Sequence, residues 1–255
     1  MKQYLLTPAA GKRLIAKAVV AHPAVKQARE NGRIVIVTGT TNGYVAEELL
    51  QLLGRGDGFS RQAFFRGVSA PATVPTDEAG RLVAGPAFPG DLIIDHGEVV
   101  TGKTIFDVVD GLREGDLVIK GANCLDLEHR RAGVLIGHPK GGTIMAVLQA
   151  AAGRRVGVLI PVGLEKRICG DLDALAVRLN APGGSGFRLL PYPGEVFTEL
   201  DAIALASGAA ATLFAAGGVC GAEGSVWIAV EGTSAQETQA DTLLRSCLGE
   251  GPFTI

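Results

Sequence analysis

Three short segments carry residue types that handle small ligands. The first, Thr38-Gly39-Thr40-Thr41-Asn42-Gly43, follows the apolar run Ile34 to Val37 and precedes Val45, Leu49 and Leu50, which share one helical face. A strand turning through small residues into a helix leaves main-chain N–H groups unpaired and aims the positive end of the helix dipole at one place. That chemistry suits a phosphate or carboxylate. The same hydroxyls also cap helices, so a plain strand-to-helix connection uses these residues equally well. The second segment, Lys120-Gly121-Ala122-Asn123, ends the apolar run that starts at Leu117. A lysine there, stripped of water, serves as an amine nucleophile or base, or pairs with a phosphate, and Asn123 can donate and accept in one plane. The third, His138-Pro139-Lys140-Gly141-Gly142, sets an ammonium beside a glycine turn open to close approach.

Proton transfer would fall to groups near these turns. Asp95 and His138 lead that set, ahead of His96, Glu98 and Asp126, so the catalytic candidates are Lys120, Asp95 and His138. The Asp95-His96, Asp126–His129 and His138 neighbourhoods lack both helical i, i+4 spacing and paired cysteines, so neither a metal site nor a cofactor is expected. Cys124, Cys169, Cys220 and Cys247 form no C-x-x-C pair, and Cys124 reads as a small buried hydrophobe.

Positioning these groups requires alternating strands and helices. Periodicity predicts helix over 7–21, a break at Pro23 and helix to 30, strand 33–38, helix 41–53 and strand 63–68. A surface excursion carrying Pro71, Pro75, Pro86 and Pro89 follows. Next come strand 91–95, a short helix after Gly102, and strands 117–120 and 134–136. The remainder reads as helix 143–152, strands 156–161 and 187–190, an Ala-rich helix 196–216, strand 226–230 and helix 235–248. This alternation predicts one α/β domain over 1–255, its subregion 185–255 open to variation. The sheet would be mainly parallel and Rossmann-like with helices on both faces, and the three glycine turns would gather at its carboxyl edge.

In this order, the Thr38-Gly39-Thr40-Thr41-Asn42 turn, the Lys120-Gly121-Ala122-Asn123 turn and the Lys140-Gly141-Gly142 turn opening a helix resemble the superfamily of ribose-5-phosphate isomerase A, glucosamine-6-phosphate deaminase and the CoA-transferases. The resemblance spans roughly residues 11–162. It implies that 38–42 hold a phosphate and that 140–142 approach the ligand main chain to main chain. Lys120 and Asn123 stand where the isomerases carry an acidic turn. Gln149 stands where they carry a glutamate base, and an amide has no basic form at neutral pH. No small lid domain is matched. Ribose-5-phosphate isomerase chemistry is therefore not expected; the candidates are a diverged sugar-phosphate-type enzyme, a metabolite sensor or carrier, and a CoA-ester transferase using Glu223.

Composition narrows the partners. With 24 basic and 26 acidic residues intermixed, the net charge of -2 argues against a nucleic-acid groove or a polybasic membrane surface. Mean hydropathy is +0.28, yet charges, glycines or prolines interrupt every apolar run before the roughly 18 residues that span a bilayer. Residues 1–20 read as an amphipathic helix rather than a secretion signal, so a cytoplasmic protein is expected. The partner is a small anionic metabolite, and the small-residue stretch 205–216 suggests a homodimer.

Overall fold

The computed structural model describes residues 1–67, 69–78, 80–83 and 88–254. Its largest sheet has six strands: β2 (Arg33–Ile36), β3 (Leu92–Asp95), β4 (Glu98–Val100), β5 (Leu117–Ile119), β8 (Gly157–Pro161) and β10 (Glu195–Phe197). They lie in the order β10-β8-β5-β2-β3-β4. Strands β10, β8, β5 and β2 are parallel, whereas β3 pairs antiparallel with β2 and β4 antiparallel with β3. The protein is thus α/β with a mixed, mostly parallel sheet. Two further three-stranded antiparallel sheets are β1 (Lys2–Leu6), β12 (Val226–Glu231) and β11 (Ala210–Ala216), and β6 (Cys124–Asp126), β7 (Arg131–Ile136) and β9 (Arg188–Tyr192).

The central strand β2 shows why the apolar run was needed. It is paired on both sides, and Ile34 through Val37 are at most 1% exposed, so a polar side chain there would have no water to face. Each of these side chains contributes roughly 1.5–3 kcal/mol by burial. Eight α-helices appear among the described residues: α1 (Pro8–Ala21), α2 (Pro23–Asn31), α3 (Thr40–Leu52), α4 (Ile105–Val108), α5 (Thr143–Leu148), α6 (Leu172–Leu179), α7 (Glu199–Ser207) and α8 (Ser234–Leu248). Local chemistry sets their ends. Thr7 accepts from the Ala10 N–H at 3.2 Å with Pro8 in the first turn, and His22 ends α1 and caps α2. None of these helices is long and apolar enough to cross a membrane.

Several expectations are corrected. Segment 1–6 is a strand rather than the start of a helix. The Ala-rich stretch 196–216 is not one helix: Val196 and Phe197 lie in β10, a Thr198–Asp201 capping box starts α7, and Gly208 at φ +70° ends it before β11. Alanine favours helix only when no cap or left-handed residue interrupts it. Residues 134–136 belong to β7, outside the parallel sheet, because the β6–β7 hairpin turns the chain back and pairs it with β9. A single 3₁₀ turn, Arg61–Ala63, and the buried Phe64 and Phe65 replace the strand expected at 63–68. Val68 and Pro86 lie outside the described residues. Helix 143–152 is α-helical only through Leu148 and continues as a π-helix, Gln149–Gly153.

Candidate functional site

Parallel pairing aligns Ile36 with Ile119 and Ile119 with Leu159, so the chain leaves β2, β5 and β8 at one edge of the sheet. A cavity of about 310 Å³ opens there, lined by 38–42, 120–123, 134–138 and 141–144 together with Arg66, Arg81, Phe106, Lys166 and Phe187. The three expected turns therefore meet, although the third arrives from the antiparallel β7. Its route is fixed by the Asn123 side chain, whose Oδ1 accepts from the Leu135 N–H at 3.0 Å, and by the Asn123 N–H, which donates to the Gly133 carbonyl at 2.8 Å.

Helix α3 starts at Gly39 without a side-chain cap, and its first intrahelical bond runs from the Gly43 N–H to the Gly39 carbonyl at 2.8 Å. The Thr40, Thr41 and Asn42 N–H groups have no acceptor among the described residues. Asn42 is wholly buried, and its Nδ2 donates to the Val37 carbonyl at 2.7 Å and to the Ile119 carbonyl at 3.0 Å, clasping the ends of β2 and β5. Those two acceptors fix the amide orientation and leave Oδ1 buried without a partner. Thr41 Oγ1 is likewise buried and unpartnered. The turn thus offers three amide donors and two unused side-chain oxygens.

Charge at the site is one-sided. The described lining residues include Arg66, Arg81, Lys120 and Lys166 and no carboxylate. The side-chain amine of Lys120, at the end of β5, has no hydrogen-bond or ion-pair partner among the described residues. Burial, with Lys166 and Arg66 adding and Asp91 opposing, pushes its ammonium down to about 8. Lys166 follows β8 in a 3₁₀ turn and donates to the Ala122 carbonyl at 2.7 Å; burial lowers its pKa, with Lys12 adding and Glu165 and Glu199 opposing. Tyr192 Oη donates toward the Lys120 and Gly121 carbonyls, at 2.8 and 3.1 Å, and holds that turn.

A buried carboxylate supports the rim. Asp91, 4% exposed, accepts from the Thr38 N–H at 2.9 Å, from Thr38 Oγ1 at 3.1 Å and from the Ile105 N–H at 2.8 Å. Arg66 donates to Thr38 Oγ1 at 3.3 Å, lies 3.7 Å from Asp91 and stacks over Phe88 at 4.0 Å. In the third turn, Gly141 and Gly142 adopt φ of +81° and +70°, and a Cβ on Gly141 would meet Met145 at 2.6 Å, so glycine is required. His138 Nδ1 accepts from the Lys140 N–H at 3.1 Å, which places the proton of the neutral ring on Nε2.

Of the predicted residues, Thr38, Gly39, Thr40, Thr41, Asn42, Lys120, Gly121, Asn123, His138, Gly141 and Gly142 line the cavity. Lys140 does not: it is exposed and its side chain is outside the lining. Asp95 is also displaced. Because β3 runs against β2, Asp95 pairs with Arg33 at the start of β2 while the start of β3 reaches the site, so Asp91 is the acid found there. Burial raises the pKa of Asp95, but hydrogen bonds from Arg33 and His96 outweigh it and hold the carboxyl below its usual range. Gln149 is exposed and donates to Asp110 at 2.7 Å, away from the lining, and Glu223 is bound to the Gly221 N–H in an exposed turn. No group of three His, Cys, Asp or Glu among the described residues is arranged to hold a metal.

Arg66, Arg81, Asp91, Lys166 and Tyr192 escaped the sequence reading. Lys166 had a visible signal, since Pro161-Val162-Gly163-Leu164-Glu165-Lys166 leaves a strand as the Lys120 segment does. The two arginines had none, because they sit in or beside the proline-rich excursion. No protein-family model, curated protein or solved structure matches this chain.

Proposed function

We propose that this protein binds a small metabolite bearing a phosphate or carboxylate in the cavity at the ends of β2, β5 and β8. The observation that carries the reading is the concentration of four cationic side chains and three free helix N-terminal amides in a lining whose described residues include no carboxylate. Phosphate would sit at Thr40 to Asn42, and Lys120, Lys166 and Arg66 would supply the countercharge. Asn42 Oδ1 and Thr41 Oγ1 accept hydrogen bonds, so the favoured ligand also carries hydroxyl or amino donors, as a sugar phosphate or hydroxy acid does. A volume of about 310 Å³ is at the low end of ligand pockets and suits such a molecule better than a whole CoA ester.

This reading includes a Rossmann-like sheet covered on both faces, a cytoplasmic location and kinship with the isomerase and CoA-transferase superfamily. It favours sugar-phosphate-type ligands over acyl transfer at Glu223, which lies outside the lining. Thermal shift against inorganic phosphate, sugar phosphates, hydroxy acids and CoA esters tests it. Thr40→Asp puts a carboxylate in the first turn of α3, where it does not harm the helix, and the phosphate response should fall at least about tenfold. An unchanged response in a folded Thr40→Asp protein overturns the assignment.

A further inference from the structure

We propose that Lys120 is a nucleophile toward carbonyl carbon, and that the cavity takes an anionic aldehyde or ketone that forms an imine with Lys120 Nζ. The proposal rests on the anion-binding reading above and adds a covalent step to it.

Two lysines reach the cavity, and their surroundings differ. Lys166 is committed to the Ala122 carbonyl at 2.7 Å, a contact that uses its ammonium to support the 121–123 turn. Lys120 has no such commitment among the described residues. The acid nearest in influence, Asp91, already receives the Thr38 N–H, the Thr38 hydroxyl and the Ile105 N–H, so it does not bind Lys120 as a salt-bridge partner. The backbone of Lys120 is held on both sides: its N–H donates to the Leu159 carbonyl at 3.0 Å and its carbonyl receives Tyr192 Oη at 2.8 Å. The strand end is therefore held, and Lys120 lines the cavity with no partner for its amine among the described residues.

The surroundings also suit the substrate. Arg66, Lys166 and the α3 amides hold the anionic group, and the unpartnered Thr41 Oγ1 and Asn42 Oδ1 can receive the hydrogen of a carbinolamine hydroxyl. Burial, with Lys166 and Arg66 adding and Asp91 opposing, lowers the ammonium to about 8, so the neutral amine is a minor form at neutral pH that grows as pH approaches 8. In the reaction the Nζ lone pair adds to the carbonyl carbon and the carbonyl oxygen takes up a proton. The nitrogen then loses a proton, the hydroxyl leaves with a proton as water, and the protonated imine so formed releases its nitrogen proton to give the imine. The balance is amine plus carbonyl giving imine plus water, with no oxidant or reductant.

The test uses the full chain with glyoxylate, pyruvate and glyceraldehyde 3-phosphate, each with cyanoborohydride, which reduces the protonated imine to a stable secondary amine. Intact mass and peptide mapping then locate the adduct, with lactate as the non-carbonyl control. The expected result is one adduct per chain, at Lys120, at least about tenfold above any exposed lysine such as Lys140 and absent in Lys120→Arg. A cooperative melt by circular dichroism reports that Lys120→Arg is folded. A phosphate response without a Lys120 adduct, or adducts spread over exposed lysines, overturns the imine and leaves the anion site standing. Loss of the phosphate response in the wild-type protein overturns the anion site itself.

Discussion

Asn42 offers the sharpest test of how the site is built, and Asn42→Asp changes almost nothing but the donors. In the native protein the amide nitrogen serves the Val37 carbonyl at 2.7 Å and the Ile119 carbonyl at 3.0 Å in a wholly buried position. A carboxylate of the same shape serves neither and points a negative charge at both. The Val37 carbonyl is left without a donor, whereas the Ile119 carbonyl keeps the Val37 N–H at 3.0 Å; one orphaned buried carbonyl costs about 1–3 kcal/mol and the unpaired buried charge adds to it, so the ionised variant should lose about 2–5 kcal/mol. For a chain of this size that is a fall in Tm of roughly 5–15 °C. The loss must depend on pH. Burial and the two carbonyl dipoles raise the pKa of the new carboxyl above its unfolded value of about 4, and the protonated acid can donate to one of the two carbonyls. A raised carboxyl contributes stability that is present below the unfolded pKa and lost as pH rises, so the deficit should be smaller near pH 5 than near pH 8. Thermal denaturation by circular dichroism at both pH values, with Asn42→Ala as the pH-independent control, measures this. A variant that melts with the wild type near pH 8, or shows the same deficit at both pH values, refutes the clasp.

Other outcomes follow from the same geometry. Anion affinity should decline as pH rises through about 8, because the Lys120 ammonium is lost there, and titrations with phosphate above about pH 7.5, where it is already a dianion, should show a steeper slope in wild type than in Lys120→Met. Glu199 is 1% exposed, and burial, reinforced by Glu165, raises its pKa from the ordinary 4.5 to about 8. The native protein should therefore lose stability as pH rises above 4.5, and Glu199→Gln should remove that slope, exceeding the wild type by more than about 1 kcal/mol in urea denaturation near pH 9. Arg13 binds Glu48 at 2.7 Å and Glu250 at 2.8 Å, also bonds Glu47, and lies 4.8 Å over Tyr44. Arg13→Met should cost about 1–3 kcal/mol, because the half-buried Glu48 loses its partner while Glu47 and Glu250 keep Arg61 at 2.9 Å, and a Tm within 1 °C of the wild type would refute that role.

Local chemistry was legible in the chain. The apolar run before Thr38, the helix that follows Thr7, and the glycine turn at 141 and 142 act within a few residues of their own position, and periodicity and turn chemistry record such effects. Composition likewise established which side chains were available to make an anion site. Strand direction was another matter. β3 reads the same whether it runs with or against β2, yet the antiparallel choice sends Asp95 to the far edge and brings Asp91 under Thr38. Side-chain direction is equally silent in sequence: Lys140 and Lys120 both adjoin glycine turns, but one points to solvent and the other into the cavity. The positive lining joins Arg66, Lys120 and Lys166, which lie far apart along the chain and meet only because parallel strands end at one edge. The sequence by itself determined the local elements and the stock of charges; tertiary pairing decided which charges share a space, because that choice depends on long-range hydrogen-bond register that no short segment encodes.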